Sequence, residues 1–239
     1  MTEGFAETPT KAPLGLALHS STSSLGLALG TERQSLRVQV RPMAGIWPVG
    51  CIRRSPISSP PKSWPSLSFL AVARGPGSFT STRLGMVTAR TLAQQLEIPL
   101  FSVSSLAAIA HRQWQQGEVG LEQAIALDLR AQRGQRFTAL YGSSDGLPQA
   151  IIPDQVCSPE QWEQQLAQQF TPRSAPLHRL NLGDQSEQAD QANPIAAAVD
   201  SLWSMAQQRY LQGERPGWPT ALPFYGQHPV VLQGQPPGK

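Results

Sequence analysis

The stretch GPGSFTSTRLG, residues 75–85, holds the residue types that a phosphate-binding turn uses. Its glycines allow backbone angles that are closed to other residues, and the turn leads into a predicted helix. The first backbone amides and the dipole of a helix favour an anion. A second hydroxyl-rich segment, HSSTSS at residues 19–24, suits a phosphate pocket in the same way. The two segments predict a vestigial nucleotide or phosphate turn formed by Ser20, Ser21, Thr22, Gly75, Gly77, Ser78 and Thr80.

Two specific phosphate-binding fingerprints are missing from this turn. The pattern GxxxxGK(S/T) is absent, so there is no P-loop lysine. Gly75 and Gly77 are followed by Thr80 where the pattern GxGxxG requires a third glycine. The alternative interpretation of the turn is therefore a tight connection between a strand and a helix, without a ligand.

The sequence gives only weak evidence for a catalytic triad or a metal site. Ser78, His111 and Asp128 supply the residue types of a nucleophilic triad, but the chain has no GxSxG elbow. Asp128 is interpreted instead as a hairpin carboxylate that pairs with an arginine. No two histidines have metal-ligand spacing, and a single histidine at a strand end, His19, is interpreted as a surface or capping residue. We therefore predict no catalytic residue and no metal site in this chain.

The composition predicts a folded protein with a mildly basic surface. Hydrophobic residues make up 40% of the chain and charged residues 15%, which allows a buried core. A net charge of +3 permits a nucleic-acid partner without requiring one. The start, MTEGFAETPTKAP, lacks the basic and apolar regions of a signal peptide, and no apolar run approaches the roughly 20 residues that cross a bilayer. We expect a cytoplasmic protein without a membrane partner.

Hydrophobic periodicity predicts alternating strands and helices. In the first half it predicts a hairpin over 14–30, a third strand at RVQV, strands over 66–73 and 98–104, and helices over 81–96 and 104–117. In the second half it predicts a hairpin over 122–142 and helices over 158–170 and 193–213. This order is typical of an α/β protein.

The same pattern predicts a division of the chain into two lobes. Residues 1–12 are expected to be a disordered tail, 13–117 an N-terminal lobe, and 118–239 a C-terminal lobe that closes with a Pro/Gly-rich tail. Residues 31–65 form an irregular, atypical insert, because their repeated prolines exclude a continuous helix.

The predicted helix over 81–96 carries small residues at a spacing of four. Gly85, Ala89 and Ala93 lie on one face, and small residues let another helix approach closely. We therefore predict that this helix meets a partner through Leu84, Gly85, Thr88, Ala89, Leu92 and Ala93.

Three segments resemble motifs of the TsaB/YeaZ family. GPGSFTSTRLG resembles the turn GPGSFTGxRxG, LALHSSTSSLGLAL resembles the opening hairpin LAxDTSTxxxSVAL, and IALDLRAQRGQRFTALY resembles the hairpin IDARRxEVYxAxY. The resemblance covers residues 14–30 and 66–142 well and the C-terminal part thinly. It implies an actin-like (ASKHA, RNase H-like) fold of two lobes, in which each lobe is a mixed sheet that opens with a β-hairpin and is flanked by helices.

The resemblance also implies a function. Members of this family are non-catalytic scaffold or dimerisation subunits of the machinery for tRNA threonylcarbamoyladenosine. A TsaD-type catalytic subunit transfers threonylcarbamoyl from threonylcarbamoyl-adenylate to adenosine beside the anticodon, and a TsaE-type ATPase joins the complex. The resemblance implies no cofactor on this chain, ATP and magnesium on the partners, and indirect contact with tRNA; homodimerisation stays open. The alternative function is a weak ASKHA-type nucleotide-binding ATPase or acyltransferase.

The chain departs from the family motifs at several positions. His19 stands where the family motif has an aspartate, and Ser81 replaces the last glycine of GPGSFTG. The motif that closes the family's sequences ends in YLR, whereas this chain has Tyr225-Gly226-Gln227. Residues 31–65 replace a helix, and two hypotheses cover this change: loss of the helix in this lineage, or translation from a shifted reading frame.

Overall fold

The computed structural model of the chain describes residues 12–43, 66–169, 176–183 and 193–226. The predicted disordered tail lies outside these residues except for Ala12, and so do residues 44–65 of the predicted insert. The part of the insert that is described, 31–43, contains a short 3-10 turn at Arg33–Ser35 and a strand.

The first sheet has five strands and is mixed. Its strands are β1 (Leu14–His19), β2 (Ser24–Gly30), β3 (Arg37–Pro42), β4 (Leu67–Ala73) and β5 (Leu100–Val103). Their order is β3-β2-β1-β4-β5. The first three pair antiparallel, and β1, β4 and β5 pair parallel. The parallel pairs require crossover connections, and helix α1 (Phe79–Leu96) makes the one between β4 and β5.

The second sheet has four strands and is also mixed. Its strands are β6 (Ala124–Arg130), β7 (Arg136–Ser144), β8 (Leu147–Cys157) and β9 (Leu177–Asn181). Their order is β8-β7-β6-β9, with β6 and β9 parallel and the other pairs antiparallel. The predicted hairpin over 122–142 is confirmed as β6 and β7.

Four further α-helices lie within the described residues. They are α2 (Ser105–Gln115), α3 (Pro159–Gln169), α4 (Pro194–Ala197) and α5 (Val199–Leu211). Ser104 caps α2, since its side chain accepts from the amides of Leu106 and Ala107. Ser158 and Gln161 form a capping box at α3, because each side chain bonds the other's backbone amide.

The core is built in layers. Helices α2 and α5 lie between the two sheets, where Phe69 and Phe101 of the first sheet share one hydrophobic cluster with Ile125 and Leu127 of the second. Helix α1 covers the outer face of the first sheet, and α3 covers the outer face of the second. The indole of Trp203 on α5 is fully buried and donates to the carbonyl of Gly15 at 2.9 Å. The C-terminal helix therefore packs against the first sheet.

This architecture confirms the predicted α/β fold of two mixed sheets, each opening with a hairpin and flanked by helices. Helix α1 begins at Phe79, two residues before the predicted start, and β8 and β9 were not predicted. The predicted helix over 193–213 is interrupted at Ala198. The lobe boundary near residue 117 stays a prediction. No helix in the described ranges is long and apolar enough to cross a membrane.

Candidate functional site

A cleft opens between the two sheets at the turn that follows β4. It has a volume of about 770 Å³, and residues 21–23, 75–83, 129–134, 137 and 223–226 line it. This size lies in the range of pockets that hold small ligands or parts of larger ones. The cleft brings together Ser21, Thr22, Gly75, Gly77, Ser78 and Thr80 of the predicted turn; Ser20 is not among the lining residues.

The two hydroxyl-rich segments contact each other directly. The backbone amide of Ser78 donates to the carbonyl of Ser21 at 2.7 Å, and the Ser20 hydroxyl donates to the carbonyl of Ser81 at 2.9 Å. Gly77 lies so close to Ser21 that an added Cβ would overlap the Ser21 carbonyl oxygen. Glycine is therefore required at position 77 by close packing of the two turns.

The start of α1 differs from a phosphate cradle in two respects. Ser78 occupies the N-cap position, but its hydroxyl donates to the Ser81 hydroxyl at 3.2 Å rather than capping the helix. Its backbone amide is already donated to Ser21, so it is not available to a ligand. Ser81 lies inside α1 with helical backbone angles, so its replacement of a glycine needs no remodelling of the turn.

Among the described residues, the charged side chains that line the cleft are all arginines. Arg83, Arg130 and Arg133 reach it from α1, from the end of β6 and from the hairpin turn. The guanidinium carbon of Arg83 lies 3.6 Å from the centre of the Phe79 ring and 5.0 Å from that of Tyr225. The described residues that line the cleft include no Asp, Glu, His or Cys. In its described lining the cleft thus favours anions and offers no carboxylate to a metal ion.

The stripe of small residues on α1 faces the interior of the protein. Gly85, Ala89 and Ala93 are buried, and Ala89 and Ala93 belong to the core between α1 and the first sheet. A Cβ at Gly85 would overlap the Ser20 hydroxyl, so the stripe serves the contact of α1 with its own sheet. The prediction that these three residues contact a partner is therefore wrong. Leu84 and Thr88 are half-buried, and so is Leu92, which also packs against this core; Val87 is exposed.

His19 lies inside the protein rather than at its surface, which corrects the interpretation as a surface or capping residue. It is fully buried, and neither ring nitrogen has a hydrogen-bond partner among the described residues. Burial lowers its pKa to about 4, because desolvation penalises the charged imidazolium. The imidazole is therefore neutral near pH 7, and a neutral imidazole is a poor ligand for Mg²⁺, which prefers oxygen.

His111 shares this behaviour, and together the two histidines predict acid sensitivity. Burial, and then the charge of Arg33, lower the pKa of His111 to about 4. A histidine with pKa 6.5 when unfolded and about 4 when folded binds its proton more readily in the unfolded state. The folded state thus keeps its full stability above about pH 6.5 and loses it as the pH falls towards 4, by about 2 kcal/mol per histidine at pH 5.

Urea unfolding at pH 7.5 and pH 5 measures this loss. We expect His19→Asn and His111→Asn each to reduce the difference in free energy of unfolding between the two pH values, and the double variant to reduce it most. An unchanged difference in the double variant would contradict the assignment to these histidines.

The other candidate residues hydrogen-bond to separate partners. Ser78 bonds Ser81, His111 bonds Gln115, and Asp128 pairs with Arg136 at 3.1 Å, as expected of a hairpin carboxylate. Burial raises the pKa of Asp128, although Arg136 and Arg179 oppose the shift. Within the described residues no cluster of three His, Cys, Asp or Glu side chains could hold a metal ion.

A polar junction beside the cleft was not predicted. The buried carboxylate of Asp154 on β8 accepts from Tyr141 at 2.6 Å, from Ser104 at 2.9 Å and from Arg74 at 3.1 Å. Arg74 and Ser104 follow strands of the first sheet, whereas Asp154 and Tyr141 belong to the second. Burial, and then the Asp154 charge, raise the pKa of Tyr141, which therefore keeps its proton and donates. The junction ties the two sheets together next to the cleft.

The sequence of this chain is similar to a known protein family and to curated proteins of two bacteria. The profile of the family described as "TsaD: tRNA N6-adenosine threonylcarbamoyltransferase" matches residues 62–209, more than half of the chain. The Bacillus subtilis "tRNA threonylcarbamoyladenosine biosynthesis protein TsaB" is 37% identical over 106 residues, which is 44% of each chain. The Escherichia coli protein of the same name is 36% identical over 75 residues, 31% of each chain. The matched part thus spans less than half the length of these curated relatives.

Two solved structures from Pseudomonas aeruginosa share the fold. One, described as an uncharacterized protein with similarity to peptidase YEAZ, has a TM-score of 0.63 at 21% identity and covers 90% of this chain and 100% of its own. The other, YeaZ, has a TM-score of 0.62 at 20% identity and covers 89% and 99%. The likeness in fold therefore extends over most of the chain.

Proposed function

Because the chain belongs to the family described as "TsaD: tRNA N6-adenosine threonylcarbamoyltransferase", we propose that it is a TsaB/YeaZ-type, non-catalytic subunit in the biosynthesis of tRNA threonylcarbamoyladenosine, like the TsaB relatives it matches. It supports a TsaD-type subunit that transfers the threonylcarbamoyl group from threonylcarbamoyl-adenylate to adenosine beside the anticodon. A TsaE-type ATPase is a further partner, and ATP and magnesium act on the partner subunits. The family assignment supports a role in the biosynthesis of tRNA threonylcarbamoyladenosine. The chemistry of the cleft supports a non-catalytic role for this chain, with catalysis on its partner.

The observation that carries this proposal is the composition of the cleft. A transferase or ATPase site needs a group that takes up a proton or positions a metal ion. The described residues lining this cleft include no carboxylate, imidazole or thiol, and the aspartate of the family motif is replaced by a buried, neutral His19. Isothermal titration calorimetry of the chain with Mg-ATP tests the alternative function, and we expect no turnover of ATP. Turnover of ATP by the unsubstituted chain that Ser78→Ala abolishes would overturn the proposal.

The outer face of α1 is the proposed contact with the TsaD-type subunit. Leu84, Thr88 and Leu92 follow one another at a spacing of four, and Val87 beside them is 59% exposed. An apolar strip on a helix is a common way to bind another helix. Homodimerisation through the same face would compete with this contact.

Co-expression with the TsaD-type subunit of the same organism tests the contact. We expect Val87→Arg to abolish co-elution in size-exclusion chromatography, because a buried, unpaired charge at the interface costs several kcal/mol. The matched control is Leu211→Arg, which places the same charge at a residue of α5 that is 63% exposed. Co-elution that survives Val87→Arg would remove α1 from the interface.

A further inference from the structure

The three arginines of the cleft reach one concave surface from separate elements. Arg83 lies in the second turn of α1, Arg130 ends β6, and Arg133 belongs to the turn between β6 and β7. No described acidic residue lines the cleft beside Arg83 and Arg133. A concave surface lined by one sign of charge concentrates ligands of the opposite sign.

Aromatic rings line the same cleft as these arginines. Phe79, Phe137, Phe224 and Tyr225 line the same cleft, and Tyr225 is 58% exposed. Arg83 stacks near two of these rings, which holds its guanidinium group at the surface of the cleft. A positively charged groove with exposed aromatic rings is the arrangement by which proteins bind single-stranded nucleic acid: arginines contact phosphates and bases stack on the rings.

Two buried hydroxyls in the cleft lack partners. Ser21 and Thr82 line the cleft and are at least nine-tenths buried, and neither Oγ atom has a hydrogen-bond partner among the described residues. A buried polar group without a partner is costly, so a ligand that reaches it gains affinity. The 2′-hydroxyl of ribose both donates and accepts, which suits a pair of serine and threonine hydroxyls.

The chemistry of the cleft distinguishes an RNA strand from a free nucleoside triphosphate. A triphosphate is usually bound with Mg²⁺, which requires oxygen ligands such as carboxylates. The described lining supplies hydroxyl oxygens but no carboxylate, whereas a phosphodiester carries one charge that one arginine balances. We propose that the cleft binds a single-stranded segment of RNA, without a metal ion. This inference deepens the proposed function and rests on it, because the modified adenosine lies beside the anticodon, in a single-stranded loop.

Fluorescence anisotropy with a labelled single-stranded RNA of about ten nucleotides tests the proposal on the full chain. We expect Arg83→Ala and Arg133→Ala each to lower the slope of log affinity against log salt by about 0.7. We expect Tyr225→Ala to weaken binding at least about fivefold and Tyr225→Phe to keep it, because stacking needs the ring and not the hydroxyl. All three side chains are exposed, so these variants should fold, which thermal melting checks.

The matched control is Arg179→Ala, which removes one positive charge from an exposed residue of β9 outside the cleft lining. It should leave both affinity and salt slope unchanged. Three results would overturn the proposal: an equal effect of Arg179→Ala, equal affinity for duplex RNA, or displacement of the RNA by AMP or Mg-ATP more readily than by unlabelled RNA. If the unsubstituted chain binds no RNA but still co-elutes with the TsaD-type subunit, this inference alone is refuted. If it binds RNA but does not co-elute with that subunit, the proposed function is refuted.

Discussion

Replacing Gly77 by alanine is expected to lower the free energy of unfolding by about 3 kcal/mol, because the substitution combines overpacking with backbone strain. The added methyl would overlap the Ser21 carbonyl oxygen and would lie 2.9 Å from the Ser21 Cβ. Gly77 also has φ of 154°, which side chains disfavour. Chemical denaturation of the variant measures the loss.

The reason for a large effect is that Ser21 cannot move alone. Its carbonyl accepts the backbone amide of Ser78, and the neighbouring Ser20 hydroxyl donates to Ser81 in α1. Relieving the clash must therefore break the contact between the two turns and widen the cleft. We expect the same variant to weaken the binding of single-stranded RNA.

Gly134→Ala is the matched control for this prediction. Gly134 also has a positive φ, of 71°, but an added Cβ would meet nothing within 4 Å. The control should cost only about 1 kcal/mol, the penalty of the left-handed conformation. Equal losses in the two variants would show that packing against Ser21 contributes nothing.

Replacing Asp154 by alanine is expected to lower the free energy of unfolding by about 3 kcal/mol. Truncation of a buried, hydrogen-bonded carboxylate leaves the groups that donate to it without an acceptor. The side chain of Asp154 is 1% exposed and that of Arg74 is 41% exposed. Arg74 can therefore return partly to water, which keeps the estimate at the lower end of the range for broken buried pairs. The buried Tyr141 hydroxyl loses its short bond of 2.6 Å and retains a longer one to Ser104 at 3.3 Å.

A graded series isolates the role of this junction. Asp154→Asn should cost less than Asp154→Ala, because the amide oxygen still accepts from Tyr141 and Ser104. The control Asp145→Asn changes an exposed residue of the β7–β8 turn in a left-handed conformation that asparagine tolerates, and it should be close to neutral. A loss below about 1 kcal/mol in Asp154→Ala would contradict a stabilising junction between the sheets.

Local patterns in the sequence were sufficient to predict most strands and helices. The alternating leucines of β1 and β2 predict the first hairpin because a strand exposes successive side chains to opposite faces. The apolar run of β4 and the glycine turn after it predict the entry into α1. Strands β8 and β9 were missed. Pro148 and Pro153 weaken the strand signal of β8, and an edge position is where a strand tolerates proline.

Which surfaces meet was decided by the tertiary structure. The spacing of Gly85, Ala89 and Ala93 indicates a close approach, but only the packing of α1 shows that its own sheet makes that approach. Likewise His19 is recognisable as a departure from a motif, while its burial depends on layers contributed from distant parts of the chain. Asp154 joins Arg74, 80 residues away in sequence, and no local pattern encodes such a pair. Sequence periodicity determines how each element divides into faces; the neighbour of each face follows from how the elements pack.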